Sequence, residues 1–355
     1  MSQIQKAPRN SALELLRILA MAMIVLSHIC CHSGFDSTYS PLSINRLFVQ
    51  WGYLGNLGVA LFLLISGYFR SAFRLRALSR LLTQVWFYSI ALFLVCRFCF
   101  GVPYSAEQLL QVFLPTVYNE YWFFTAYLIL FLLSPFLNLL LDRLTRQQFQ
   151  TMLLVMSLLW VLLPTLTKQP MYAAELPQFL LYYCLGAYIR LYPDNPFRRP
   201  GLRAAAAFGA LALLWGLTVV FAWCERFTPE AFGAALRFYD RNSLLIFTAA
   251  AGLFSLAAYA RPFASTLVNT VSSCSFGVYL IHDNPAIRAL LWKNWLYWGD
   301  YFTSGSFIPR LAGSVILVYL VCTGIEWLRL KTVAAPMENA VTSLLQRLLK
   351  STSLL

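Results

Sequence analysis

The sequence predicts an all-α fold, namely a polytopic integral membrane protein with about ten transmembrane helices. Hydrophobic residues make up 59% of the 355 residues and charged residues only 12%, which lies well outside the composition of soluble domains. Uncharged runs long enough to cross a bilayer recur along the whole chain. No segment between these runs is large enough to form a separate soluble domain, so residues 1–355 are predicted to form a single transmembrane domain.

The individual helices are predicted from the apolar runs and from the charges that interrupt them. The first run contains Arg17 and His28, the third is broken only by Arg97, and the last ends near Glu326. The other runs carry little or no charge and are bounded by polar or proline-containing loops. The predicted spans are 13–33, 50–69, 81–101, 121–141, 151–167, 176–190, 204–224, 242–260, 262–283 and 308–328.

Basic residues are distributed unevenly between the loops on the two sides. With the N-terminus inside, eighteen of the 27 Lys and Arg residues fall on the inner side, eight fall outside, and Arg97 lies within a span. Because basic loops stay in the cytoplasm, both termini are predicted to be cytoplasmic. The net charge of +13 is then explained by loops facing anionic membrane lipid, and no nucleic acid partner is required.

Residues 1–33 could also be a cleaved signal peptide. Arg17 interrupts their apolar stretch, and no small-x-small cleavage site follows it. The segment is therefore predicted to be a retained first helix.

Arg17 and His28 lie inside the first apolar run, LELLRILAMAMIVLSHICC. Their spacing is about three helical turns, so both side chains should point the same way, roughly 16 Å apart along one helix face. Ionisable groups inside a span are costly and are usually functional. Glu14 stands three residues before Arg17, at ion-pair spacing, and could neutralise it.

A cluster of arginines follows the second predicted span, on the predicted cytoplasmic side. One interpretation is an anchor of the positive-inside type. The other is a phosphate-binding patch, because Arg binds phosphate through paired donors. The cluster consists of Arg70, Arg74, Arg76 and Arg80.

Further polar candidates lie near the predicted outer surface. His282 is followed by Asp283 and Asn284, which indicates a helix end, and both a structural role and an acceptor-binding role fit it. Glu120 and Trp122 flank the start of the fourth span. Trp is expected in an interfacial aromatic belt, whereas Glu120 could also bind a polyol.

The eight cysteines lie nearly all inside predicted spans, where Cys behaves as a small hydrophobe. Cys30, Cys31 and His32 adjoin one another at the end of the first span, but their spacing matches no established zinc pattern. Neither a disulfide framework nor a metal site is predicted.

Four segments resemble, in order, the motifs of the membrane-bound acyltransferase-3 family. ELLRILAMAMIVLSH is similar to a first-helix signature in which ten residues separate an Arg from a His. GVALFLLISGYF, at 58–69, resembles a second-helix motif ending in Ile-Ser-Gly-Tyr. EYWFFTAYLILFLLSPFLN, at 120–138, resembles a Trp-to-Pro helix, and SFGVYLIHDNP resembles a late Tyr-Leu-x-His segment. The resemblance spans nearly the whole chain.

The chain departs from the family pattern at two places. Many members carry an acid before the Phe of the second-helix motif, where this chain has Val59 and Ala60. They also carry acids after the Trp of the fourth span, where this chain has Thr125, Ala126 and Tyr127. These differences indicate the branch that lacks an attached extracytoplasmic esterase-like domain, and they disfavour any mechanism that relies on such carboxylates.

The resemblance implies an O-acyltransferase in the bacterial inner membrane. Such an enzyme moves an acyl group, usually acetyl, from cytoplasmic acyl-CoA to a sugar hydroxyl of an envelope glycan or glycolipid. Acyl-CoA is then a co-substrate, and no tightly bound cofactor is expected. His28 and Arg17 are the expected catalytic residues, and His28 acts either as general base or as acyl-carrying nucleophile. General base is favoured because it needs no second group to resolve an intermediate.

The remaining candidates divide between the two substrates. Arg17, acting with His28, is expected to contact acyl-CoA, and the arginine cluster Arg70, Arg74, Arg76 and Arg80 is expected to bind its phosphates. His282, Glu120 and Trp122 are the candidates for binding the acceptor.

A secondary transporter or flippase for a lipid-linked sugar is the alternative function. Such proteins also place ionisable groups at mid-membrane, and they often contain inverted repeats. The sequence has no convincing repeat, and transport would not explain why Arg17 and His28 occur with the other three motifs. A structural scaffold, the third possibility, would need neither residue.

Overall fold

The computed structural model describes residues 10–35, 42–70, 73–167, 175–228 and 230–351. Over these residues the chain forms eighteen α-helices and no β-strand, which confirms the predicted all-α fold. The prediction that both termini are cytoplasmic also involves residues 1–9 and 352–355, which lie outside the described residues.

The helices follow one another through short loops. The first nine are α1 (Ser11–His32), α2 (Ile44–Trp51), α3 (Gly55–Phe69), α4 (Leu75–Cys99), α5 (Ala106–Phe113), α6 (Trp122–Arg143), α7 (Arg146–Ser157), α8 (Leu163–Thr167) and α9 (Glu175–Leu191). The others are α10 (Pro200–Ala204), α11 (Ala210–Cys224), α12 (Ala231–Ala234), α13 (Leu244–Ala258), α14 (Thr266–Ser273), α15 (Ser275–His282), α16 (Pro285–Leu290), α17 (Phe307–Thr332) and α18 (Ala334–Ser351). π-Helical turns connect α7 to α8 and α10 to α11.

Eight helical segments within the described residues are long and apolar enough to cross a membrane, which confirms a polytopic membrane protein. Two predicted spans are not among them. They are 176–190, which corresponds to α9, and 262–283, which corresponds to α14 and α15 together. The eight segments are Ser11–His32, Ile44–Phe69, Leu75–Cys99, Trp122–Arg143, Arg146–Thr167, Pro200–Cys224, Ala235–Ala258 and Phe307–Thr332.

The two differences have separate causes. α9 is described from Glu175 onward, and its 17 described residues extend about 26 Å. The predicted helix at 262–283 is broken at Cys274, where α14 ends and α15 begins. α14 is short and polar, and its side chains bond to the beginning of α1: Asn269 accepts from Ser11 (3.0 Å), and Ser272 donates to Glu14 (2.5 Å).

Glycines allow α3 to pack closely against α9. A Cβ added at Gly67 would collide with the backbone of Tyr183, and one added at Gly186 would collide with the backbone of Leu64. Small residues at such crossings let membrane helices approach each other backbone to backbone. α3 lies between α9 and α1 at the centre of the buried core, so its position determines the position of the residues that α1 presents.

A buried network ties α17 to α4. Arg329 donates from Nε to Oε2 of Glu326 at 2.7 Å, as the i, i+3 spacing predicts. Gln84 and Tyr88 of α4 donate to the same carboxylate at 3.1 and 2.6 Å. These hydrogen bonds offset the cost of burying the carboxylate of Glu326, which is fully inaccessible to solvent.

Candidate functional site

An elongated cavity of about 1360 Å³ lies between α1, α3, α4, α6 and the α14–α15 segment. α1 and α3 run antiparallel beside it, because Phe69 at the end of α3 contacts Arg17 near the start of α1, whereas Gly55 at the start of α3 lies against Ser27. We define an arginine end, lined by Arg17, Arg70, Arg74, Arg80 and Arg190, and a histidine end, lined by His28, His32, Asn56 and Trp122.

α1 supplies one continuous face of this cavity. Arg17 and His28 both line it, as their spacing predicts. Between them the lining residues Met21 and Ile24 are apolar. The cavity wall on α1 therefore begins with a cation, continues as an apolar stretch and ends with an imidazole.

Arg17 is held in place by Glu14. Its Nη1 lies 2.9 Å from Oε2 of Glu14, and its guanidinium carbon lies 5.6 Å from the centre of the Phe69 ring. Only Nη1 of Arg17 donates to the carboxylate. Because guanidinium has five N–H donors, the remaining donors are available for an anionic ligand in the cavity.

The hydrogen bonds around His282 determine its tautomer. Nδ1 of His282 lies 2.6 Å from the carbonyl oxygen of Val278. A carbonyl only accepts, so this nitrogen carries the hydrogen, and Nε2 of the neutral ring is an acceptor. That Nε2 lies 3.0 Å from Nδ1 of His28. Nδ1 of His28 is therefore the donor, and its Nε2 keeps a free lone pair.

A carboxylate also lies beside His28. Oδ1 of Asp283 is 3.5 Å from Nδ1 of His28, and the Asp283 side chain is only 5% exposed. Nη1 of Arg288 lies 3.3 Å from the same oxygen. The predicted helix end at His282 is confirmed, since α15 ends there and Asp283 is its C-cap. The turn after α15 thus places the carboxylate of Asp283 next to the ring of His28, which would gain a proton.

A comparison with protein families identifies the family of the chain. A family model described as an acyltransferase domain matches residues 10–327, which is nearly the whole chain. The chain belongs to the acyltransferase-3 family. Searches of curated proteins and of solved structures gave no significant match. Together with the eight candidate spans, the family match makes the protein a membrane acyltransferase.

The arginines predicted to bind phosphate occupy different positions in the acyltransferase. Arg70 lines the cavity but also donates to Asn138 at 3.3 Å and to Asp142 at 2.5 Å. Arg74 and Arg80 line the cavity as well, and neither guanidinium group forms a hydrogen bond with any residue that the structure describes. Arg76 is exposed but is not part of the lining.

The three acceptor candidates do not form one surface. Trp122 lines the histidine end, with the guanidinium carbon of Arg241 4.5 Å from its ring centre. His282 lies behind His28 and is fully buried. Glu120 is not part of the cavity lining. Its carboxyl group lies near Ser89 and Tyr104, and burial raises its pKa to about 7, although Ser89 lowers it.

Several lining residues of the acyltransferase were not predicted from the sequence. Arg190 joins the arginine end because α9 packs on α3, where it lies 5.2 Å from the ring centre of Tyr68. Gln84 faces the cavity from α4. In the sequence, the only indication of a role for Arg190 was its position at the end of an apolar run. A basic residue there can mark the cytoplasmic end of a helix as well as a ligand contact, so the position alone does not distinguish the two. Serines of the α14–α15 segment also line the cavity, at Ser272, Ser273 and Ser275.

Proposed function

We propose that this acyltransferase moves an acyl group, in the usual case acetyl, from cytoplasmic acyl-CoA to a hydroxyl of an envelope glycan or glycolipid. The observation that carries the proposal is the cavity itself. Among the residues that the structure describes, it has arginine donors without a hydrogen-bond partner at one end and a histidine with a free lone pair at the other. An anionic nucleotide on a long arm that ends in a thioester matches this polarity.

The donor would enter from the arginine end. Arg74 and Arg80 are exposed, line the cavity and can form charge-assisted hydrogen bonds with phosphate. Arg17 lies further along the cavity and can contact either phosphate or the polar part of the arm. Arg17 and His28 are about 16 Å apart along α1. The extended arm of acyl-CoA can occupy the part of the cavity between them, beside the apolar residues Met21 and Ile24.

His28 would act as general base at the other end. Its Nε2 takes the proton of the acceptor hydroxyl while the hydroxyl oxygen forms a bond to the thioester carbonyl carbon. The carbon–sulfur bond then breaks, and the imidazolium returns the proton to the departing CoA thiolate. Asp283, 3.5 Å from Nδ1 of His28, stabilises the imidazolium during this sequence.

The predicted membrane orientation agrees with this scheme. The bias of basic residues assigns the beginning of α1 and the loop after α3 to the cytoplasmic side, where acyl-CoA occurs. The histidine end then lies toward the outer side of the bacterial inner membrane, where a glycan or glycolipid acceptor is reached.

Replacement of His28 tests the proposal. Cells that express His28→Ala in place of the wild-type protein should lose the acyl groups of their surface glycan, while membrane fractions contain normal amounts of the protein. Mass spectrometry of the purified glycan measures the loss. Normal glycan acylation in the mutant would overturn the catalytic assignment.

Two further measurements separate the alternatives. Purified protein incubated with [¹⁴C]acetyl-CoA without acceptor should carry no label bound to protein if His28 is a general base, whereas an acyl-carrying nucleophile would be labelled. A flippase would move lipid-linked sugar across the membrane of proteoliposomes without consuming acyl-CoA. Release of free CoA that depends on the acceptor is expected only from the transferase.

A further inference from the structure

Three potential metal ligands converge at the histidine end of the cavity. His28 and His32 lie one helical turn apart on α1, with ring centres separated by 5.3 Å. Asp283 approaches the same point from the turn after α15. Each residue offers one ligand atom, and all of these atoms lie within 4.8 Å of one another. The sequence did not suggest this set, because Asp283 is far from the two histidines along the chain.

The geometry suits a tetrahedral ion. Two histidines at i and i+4 on one helix face are an established zinc-binding spacing. Zinc bound to imidazole nitrogen and carboxylate oxygen at about 2.0–2.2 Å requires its ligand atoms to be roughly 3.4 Å apart. The ligand atoms lie within 4.8 Å of one another, and His32, which is only partly buried, can rotate its side chain to bring them to the shorter separation. A fourth position remains for water from the cavity.

The donor types and their surroundings select the class of ion. Two imidazoles and one carboxylate suit zinc and its neighbours, whereas Mg²⁺ and Ca²⁺ prefer sites made wholly of oxygen. Arg288 already contacts Oδ1 of Asp283 at 3.3 Å, but the carboxylate has a second oxygen. The adjacent positive charge weakens cation binding, so occupancy should be reversible.

An ion can reach these residues through the cavity, since His28 and His32 both line it. Metal binding would remove the base function of His28 through either ring nitrogen. Coordination by Nε2 occupies the lone pair that would accept the proton. Coordination by Nδ1 moves its hydrogen to Nε2, which occupies the lone pair there and breaks the bond to His282.

We propose that His28, His32 and Asp283 form a binding site for Zn²⁺ or a divalent ion of the same class, and that the bound ion inhibits acyl transfer. The inhibition rests on the proposed function, whereas the binding site does not. The two parts are therefore tested separately.

Binding is measured on full-length protein purified in detergent, treated with a chelator, freed of it and dialysed against Zn²⁺. Elemental analysis should find a Zn²⁺ site in the wild type that is weakened at least about tenfold in His32→Ala and in the near-isosteric His32→Gln. Cys31→Ala is the matched control, because Cys31 lines the same cavity one residue away. Unchanged affinity in folded His32 variants, or an equal loss in Cys31→Ala, would overturn the site.

Inhibition is measured as acceptor-dependent release of CoA during Zn²⁺ titration, relative to the uninhibited rate of each variant. Zn²⁺ should inhibit the wild type, a chelator should reverse the inhibition, and His32→Ala should require at least about tenfold more Zn²⁺. Zn²⁺ that binds without inhibiting would refute the second part alone. Protein that binds Zn²⁺ but never uses acyl-CoA would instead refute the proposed function and leave the site intact.

Discussion

Nδ1 of His28 donates a hydrogen bond of 3.0 Å to Nε2 of His282, although the two residues are 254 positions apart in the sequence. His282 is itself fixed by its bond to the carbonyl of Val278. The backbone of α15 therefore determines which nitrogen of His28 carries hydrogen. This relationship assigns His282 a positioning role behind the reacting ring.

Replacement of His282 by Ala should lower kcat about 100-fold or more while the KM for acyl-CoA changes little. The reason is that His28 loses the partner that fixes its tautomer and orientation, and not a contact with the donor. Steady-state kinetics of acceptor-dependent CoA release measure both constants.

His282→Gln is the control for this prediction. Its amide oxygen can still accept from Nδ1 of His28, so it should recover part of the lost kcat. A normal kcat combined with a raised KM for the acceptor would contradict the positioning role and would favour direct acceptor binding by His282.

Replacement of Arg17 by Ala should raise the KM for acyl-CoA about 10- to 100-fold, because a charge-assisted hydrogen bond contributes about 1.5–3 kcal/mol. The same change removes the ion pair between Arg17 and the carboxylate of Glu14, and Glu14 is only 3% exposed. The single variant is therefore expected to be less stable as well.

The double variant Glu14→Gln/Arg17→Ala separates the two effects of the Arg17 replacement. It should recover part of the lost thermal stability, because a neutral amide replaces the buried carboxylate whose ion pair with Arg17 was removed, but it should keep the high KM. A KM that returns to the wild-type value together with stability would mean that Arg17 only balances the charge of Glu14.

Sequence periodicity was sufficient where the relevant residues share one helix. The common face of Arg17 and His28, and the pairing of Arg17 with Glu14, both follow from spacing on α1. The contact of His28 with His282 depends on how α15 packs, and no local pattern encodes that. The break at Cys274 was missed because apolar composition alone does not distinguish one long helix from two short ones.

Arg76 serves as an internal control for the arginine cluster. Arg74→Ala and Arg80→Ala should each raise the KM for acetyl-CoA several-fold, because both side chains line the cavity. Arg76→Ala should leave it unchanged, since Arg76 lies in the same basic segment but outside the lining. If all three substitutions have equal effects, the cluster acts only through its total charge, as a topology anchor would.

Acetyl-dephospho-CoA, which lacks the 3′-phosphate, identifies the contact of each arginine. The wild type should discriminate against this donor. A variant that has lost the contact to the 3′-phosphate should use both donors equally well. Preserved discrimination in both Arg74→Ala and Arg80→Ala would place their contacts at other phosphates of the donor.

Glu120 should make the stability of the protein depend on pH. Burial raises the pKa of its carboxyl group from 4.5 to about 7 in the folded state. Between these two values the folded state binds more protons than the unfolded state, so stability falls as the pH rises and the loss is complete above pH 7. Glu120→Gln cannot ionise, so its stability relative to the wild type should increase from pH 5 to pH 8.

The expected gain for Glu120→Gln is about 1 kcal/mol, because solvent screens the partly exposed carboxyl group. Melting temperatures of both proteins at pH 5 and pH 8 measure it. A constant difference between Glu120→Gln and the wild type would contradict the raised pKa. Altered acceptor KM in Glu120→Gln would instead show that this carboxyl reaches the acceptor despite lying outside the cavity lining.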